Sequence, residues 1–163
     1  MLTKYIIEAI QDGYSSDYLS LLHNYGLWAR YFGAVGYHCP ATAHEDYIID
    51  DESALVIEAC MCRLKQTRPQ VYKLFSMYYI RGLDEYDILS VLKEHDHSIR
   101  TTRARYKDRY DATPYDNAIR YLTGMAVRDV IILGEKLVLS HLVQVYNQEH
   151  ETPLNVDCVK ECK

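Results

Sequence analysis

Apolar positions recur at helical spacing along most of this chain. The segment Thr3–Gln11 carries Tyr5, Ile6, Ile7 and Ile10 and stops at Asp12-Gly13. Ser15 or Ser16 can then cap a longer helix to about Phe32, with Tyr18, Leu21, Leu22, Tyr25, Trp28 and Phe32 on one stripe. Gly33, Gly36 and Pro40 break that pattern, and residues 33–51 have no sustained period; they are expected to form a long loop. Asp50 or Asp51 caps the next helix, to about Gln66, whose Ile57, Cys60, Met61 and Leu64 are spaced i, i+3, i+4, i+7.

Thr67-Arg-Pro-Gln70 has the form of a capping box with proline in the first turn. It opens a helix with Val71, Leu74, Phe75 and Tyr78 on one face. Arg81 suits that helix's negative end, and Gly82 suits a left-handed C-terminal residue. Leu83, Asp84 and Ile88 fit a hydrophobic staple around an Asp N-cap. Asp111-Ala-Thr-Pro114 ends a later helix, a short one is expected around Tyr115–Leu122, and Gly124 stops it. Met125–Asn147 reads as a long amphipathic helix burying Val130, Ile131, Leu137, Val138, His141, Leu142 and Val145. Gly134 costs it about 1 kcal/mol relative to alanine, tolerable if a neighbour packs there. The tail from Gln148 is polar and aperiodic and is expected to be mobile. The pattern thus predicts an all-α fold: one helical domain over residues 1–147, a long C-terminal helix, and a tail over 148–163.

One stretch stands apart. Residues 84–110 read DEYDILSVLKEHDHSIRTTRARYKDRY: a short amphipathic helix, a polar break, then a helix studded with arginine. That is the sequence form of a helix-turn-helix, spanning about 69–110 with the helix that leads into it, in which the second helix enters the DNA major groove. From Ser98 to Tyr110 five basic residues stand against one acid, Asp108. The segment carries +4 in a chain of net charge −5, which leaves −9 on the rest. Basic charge focused on one element of an acidic chain suits a local polyanion contact and not a general coating of DNA.

At 100° per residue this helix resolves into two faces. Ile99, Tyr106 and Tyr110 point one way, beside Thr102 and the stem of Arg103; Arg100, Thr101, Ala104, Arg105 and Asp108 point the other. Arginine and threonine reach base edges or phosphates, and the small Ala104 permits close approach. Arg103, Lys107 and Arg109 suit phosphates, and Ser98 is the candidate N-cap. The candidate DNA-contacting set is therefore Ser98, Arg100, Thr101, Arg103, Ala104, Arg105, Lys107 and Arg109. An acidic protein partner, or a plain solvated face, would use the same charges.

Other chemistry is thin. Cys39, Cys60, Cys62, Cys158 and Cys162 are odd in number and lack a repeating spacing, which favours free thiols over disulfides. Cys158 and Cys162 are i, i+4 but would need distant ligands such as His38, Cys39 or His44 to hold zinc. There is no phosphate-cradling glycine loop and no nucleophile elbow. His95 and His97 flank Asp96 in the expected turn, where turn roles account for them. No catalytic residue, metal site or cofactor is expected. The sixteen tyrosines can serve the core or, equally, an interface. No leader-like N-terminus and no membrane-length apolar run is evident, so a cytoplasmic protein is expected.

The segments LLHNYGLWARYFG at 21–33, the run from Asp50 to Tyr106, and AVRDVIILGEKLVLSHL at 126–142 resemble the antitermination protein Q family of lambdoid bacteriophages, phage 21 type. Arg63-Leu64-Lys65 and Tyr79-Ile80-Arg81-Gly82 match its short basic run and its tyrosine-rich approach to the helix-turn-helix. The stretch from about Lys107 to Gly124 departs from that pattern by its length. The helix-turn-helix also resembles the DNA-reading region of bacterial sigma factors. The resemblance implies a factor that binds double-stranded DNA near a phage late promoter in the bacterial host cell and loads onto paused RNA polymerase with its sigma factor. It would then make polymerase read through terminators. Nascent RNA at the exit channel and a second copy on DNA are further contacts compatible with it. A sequence-specific repressor, a sigma-like initiation factor and an adaptor that binds only protein remain alternatives, because fold-level likeness does not choose between jobs.

Overall fold

The computed structural model describes residues 1–35, 49–94 and 127–154. Their regular structure is all helical, with no strand among them: α1 (Lys4–Ile10), α2 (Ser16–Val35), α3 (Asp51–Thr67), α4 (Pro69–Tyr79), α5 (residues 85–94) and α6 (Val127–Glu149). The all-α class and the long C-terminal helix are those that the periodicity predicts.

Helix starts follow local chemistry. Thr3 caps α1, its Oγ1 accepting from Ile6 N–H at 3.3 Å. Gly13, at φ 70°, turns the chain, and Ser15 Oγ takes the Tyr18 N–H at the start of α2. Asp50, not Asp51, caps α3: its Oδ1 accepts from Ser53 N–H and its Oδ2 from Ser53 Oγ, both at 2.8 Å. Asp84 Oδ1 accepts from Asp87 N–H at 2.8 Å and opens α5.

Two expected boundaries differ. α2 runs through Gly33 to Val35, because one glycine costs a helix about 1 kcal/mol and does not end twenty residues anchored elsewhere. Most of the expected loop, residues 36–48, lies outside the described residues. The capping box at Thr67 does not form. α3 and α4 are separated by Arg68 alone, so Thr67 is still helical and its hydroxyl donates back to Arg63 C=O at 2.9 Å. Pro69 occupies the first turn of α4, as its missing N–H favours.

The core gathers Ile6 and Ile10 of α1, Tyr18, Leu21, Leu22 and Tyr25 of α2, Ile57, Met61 and Leu64 of α3, and Leu74 and Phe75 of α4. Ile88 of α5 and Val138, Leu139 and Leu142 of α6 complete it. Among α1–α4 and α6, the most extensive contact is that of α4 with α6. Gly134 permits this: a Cβ there would stand 2.7 Å from Phe75 Cδ2 and 3.2 Å from Val71 Cγ1. Gly26 does the same for α2 and α4, where a Cβ would fall 2.1 Å from the Tyr79 carbonyl oxygen.

The buried stripe of α6 is rotated from the expected one. Val127, Gly134, Glu135, Leu139 and Val143 are buried with Val130, Ile131, Val138 and Leu142, whereas Leu137, His141 and Val145 are only half-buried. An acid in the stripe hides its phase: treating Glu135 as solvent-facing turns the rest of the helix with it. On α4, Met77 and Tyr79 are buried and Tyr78 is half-buried. α6 continues past Asn147 to Glu149, and Leu154 N–H then donates to Asn147 Oδ1 at 2.9 Å as its side chain packs against the core.

Candidate nucleic-acid interface and its frame

The eight candidate DNA-contacting residues, Ser98, Arg100, Thr101, Arg103, Ala104, Arg105, Lys107 and Arg109, lie outside the described residues, as do His95 and His97. What the structure describes is the approach to them. Ile80 is the C-cap of α4, and the next residue's N–H, that of Arg81, donates to Ser76 C=O at 3.0 Å. Gly82 takes a left-handed φ of 68°, and beyond it Leu83 N–H returns to Met77 C=O at 3.0 Å. The guanidinium that meets this end of α4 comes from another helix: Arg30 Nε of α2 donates to Ile80 C=O at 2.8 Å. Cation and left-handed glycine both belong there, but the cation is not supplied locally.

α5 then turns Ile88 and Leu92 inward, with Leu83 half-buried before its cap. Tyr86 is 83% exposed and Leu89 39% exposed on its outer side. Its first residue, Glu85, pairs with Arg128 at the start of α6, N–O 2.8 Å, and that hydrogen bond raises the Arg128 guanidinium pKa further. Glu94, at the far end of described α5, is exposed.

Behind this approach lies a group that the sequence reading missed. Glu135 is 6% exposed. Its carboxylate accepts from Tyr14 Oη and, at 2.6 Å, from Tyr79 Oη; its backbone carbonyl accepts from Tyr18 Oη at 2.6 Å. Burial, then the neighbouring Tyr79 and Glu135, push the Tyr18 phenol well above its ordinary range. Burial, then the bond to Glu135, does the same for Tyr79. Both phenols therefore stay protonated and remain donors, as a buried carboxylate requires. The signal in the sequence was a lone acid inside the apolar run IILGEKLVL, with tyrosines at 14 and 18 spaced one helical turn apart.

Tyr25 likewise donates to Glu58, and Trp28 Nε1 donates to Asp51 Oδ1 at 2.9 Å, which ties α2 to α3. Tyr18, Tyr25 and Tyr79 thus serve the core, while Tyr86 is exposed. A groove of about 360 Å³ lies between α2, α4 and the Gly82 turn, lined by His23, Leu27, Arg30, Tyr78 and Asp84 among others.

Cys60 is buried and Cys62 exposed on opposite sides of α3, and burial pushes the Cys60 thiol up to about 11, against a small opposing pull from Arg63. Such a thiol is a poor nucleophile and a poor metal ligand. Among the described residues no group of three or more His, Cys, Asp or Glu is placed to hold a metal ion, and no helix is long and apolar enough to cross a membrane. Cys39, Cys158 and Cys162 fall outside the described residues. Neither protein-family models, nor curated proteins, nor solved structures give a match to this chain.

Proposed function

We propose that the protein is a phage late-gene transcription antitermination factor. It binds promoter-proximal double-stranded DNA through the arginine-rich segment Ser98–Tyr110, loads onto paused RNA polymerase with its sigma factor, and makes it read through terminators. The observation that carries the DNA contact is the +4 segment in a chain of net charge −5, placed directly after a capped amphipathic helix. The capped helix is α5, held inward by Ile88 and Leu92. The polymerase step rests on the resemblance of residues 21–33, 50–106 and 126–142 to the phage 21-type Q family. In this reading Arg100, Thr101 and Arg105 meet bases or adjacent phosphates, and Arg103, Lys107 and Arg109 position the helix.

In vitro transcription through a terminator tests it, with and without the protein, on templates that carry or lack the cognate late promoter. Read-through confined to the promoter-bearing template supports the reading; read-through on both contradicts DNA-dependent loading. Selective, salt-sensitive DNA binding without read-through marks a repressor or sigma-like initiation factor instead. Removing one phosphate contact, as in K107A, reduces the log–log salt slope by roughly 1. Normal promoter binding by R105E would remove the DNA reading of this segment.

A further inference from the structure

The turn between α4 and α5 is held from both sides by one helix. Tyr79, the last residue of α4, donates to Glu135 of α6. Glu85, the first residue of α5, accepts from Arg128 of the same α6. Glu135 and Arg128 are seven residues apart, two helical turns or roughly 10 Å along one face of α6. Between the two attachment points the chain passes through Gly82, whose left-handed backbone is the natural place for it to pivot.

We infer that Glu135 and Arg128 are positioning residues: together they make α6 the strut that sets the angle at which α5 leaves α4. The two attachments divide the work. The bond from Tyr79 to Glu135 is buried and fixes the end of α4, which α2 also grips through Gly26 and through Arg30 at Ile80 C=O. The Arg128–Glu85 pair is exposed and fixes the start of α5, whose described inner face is held by the buried Ile88 and Leu92 with the half-buried Val91 beside them. These three side chains lie within little more than one turn, so they keep the helix against the core but constrain its direction weakly at the Glu85 end. A charge-assisted hydrogen bond at that end, Arg128 to Glu85 at 2.8 Å, restricts that freedom. For function this inference rests on the proposed DNA reading, because the angle of α5 determines where the segment after it points.

The full-length chain, ¹⁵N-labelled and weakly aligned, reports the α4–α5 angle through backbone dipolar couplings. R128E is expected to rotate α5 relative to α4 while the couplings of α4 and α6 keep their wild-type relation. The charge swap E85R/R128E is expected to restore the wild-type angle. Y79F, which keeps the ring and removes the buried bond, tests the other attachment and is expected to shift α4's end with α5. A wild-type α5 angle in folded R128E overturns the inference, and so does a swap that fails to restore it. On DNA, R128E is expected to reduce the preference for cognate over scrambled sequence on the order of threefold, as befits an exposed pair, with recovery in the swap. Wild-type protein with no sequence preference would remove the DNA reading and leave the angle measurement standing.

Discussion

α6 meets its neighbours in two contrasting ways. Against α4 it is dry and close: Gly134 lets Phe75 and Val71 press on its backbone, and the next residue, Glu135, collects three tyrosine hydroxyls out of water. Toward α5 its described polar contact is an exposed arginine, Arg128, paired with Glu85. The first contact fixes stability and register, because every polar atom taken out of water there must keep its partner. The second biases orientation without holding the fold up, since exposed pairs are screened and easily replaced by water.

The sharpest way to break this contrast is E135A. It leaves the Tyr14 and Tyr79 hydroxyls without the carboxylate they donate to, at about 1–3 kcal/mol for each unpaired group, so a loss on the order of 3 kcal/mol is expected in urea unfolding. E135Q should cost much less, because the amide can accept from one phenol and donate to the other. R128A should leave the urea midpoint essentially unchanged. Equal losses in E135A and R128A would erase the distinction.

I88A comes next. Truncating this fully buried side chain is expected to cost about 2 kcal/mol, the low end for Ile→Ala, because α5 is attached by few side chains and can settle inward. The distinguishing sign is where protection is lost. Amides of residues 85–94 should exchange faster while those of α4 and α6 stay slow, as expected of a separately opening unit. Uniform acceleration would place α5 in the same cooperative block as the rest.

G134A probes the close contact from its other side. The added Cβ gains about 1 kcal/mol of helix propensity but meets Phe75 Cδ2 at 2.7 Å. Overpacking costs roughly 1–3 kcal/mol, so the net expectation is a loss near 1 kcal/mol, read as a lower denaturation midpoint. A gain would mean that the Phe75 ring yields freely and that α4 and α6 are less tightly matched than their distances indicate.

These contrasts also mark what could be read from the sequence. Caps and turns were legible because their chemistry is local: Ser15, Asp50, Gly82 and Asp84 each act within a few residues of themselves. Tyr18, Leu21, Leu22, Tyr25 and Trp28 of α2 and Ile57, Cys60, Met61 and Leu64 of α3 were legible because no polar residue interrupts those runs of inward positions, whereas the buried Ser53 at the start of α3 was not. α6 was misphased because Glu135 is a polar residue at a core position, made tolerable by Tyr14, Tyr18 and Tyr79 from other elements, and no local rule foretells such partners. Arg30 escaped notice for the same reason: it caps a helix fifty residues away in sequence. The Thr67 motif failed because a single-residue break left no room for its capping geometry. The arginine-rich segment stands on charge and spacing alone, since Ser98–Arg109 falls outside the described residues.

Asp50 is the intermediate case between the two contacts of α6, a hydroxyl-bonded carboxylate that is exposed. Ile6 N–H donates to Thr3 Oγ1; Thr3 Oγ1 and Ser53 Oγ are bonded to each other; Ser53 Oγ donates to Asp50 Oδ2. Because an ionised carboxylate can only accept, Ser53's hydrogen belongs to Asp50, and Thr3 must therefore donate to Ser53. The α1 and α3 caps thus share one directional chain. Partial burial works upward on the Asp50 carboxyl, but the Ser53 bonds and the backbone bonds at Asp50 and Glu52 outweigh it and hold the group below its ordinary range. A carboxyl lowered in the folded state contributes stability that is complete above its unfolded pKa, near 3.9, and is lost as pH falls through the folded value. At neutral pH, D50A is expected to cost about 1 kcal/mol, the usual worth of an N-cap. The gap between wild type and D50A in urea unfolding should be constant from pH 7 down to about 5 and close as the pH drops below about 4. A gap that persists unchanged at pH 2 would show that the ionised carboxylate is not what organises these two helix starts.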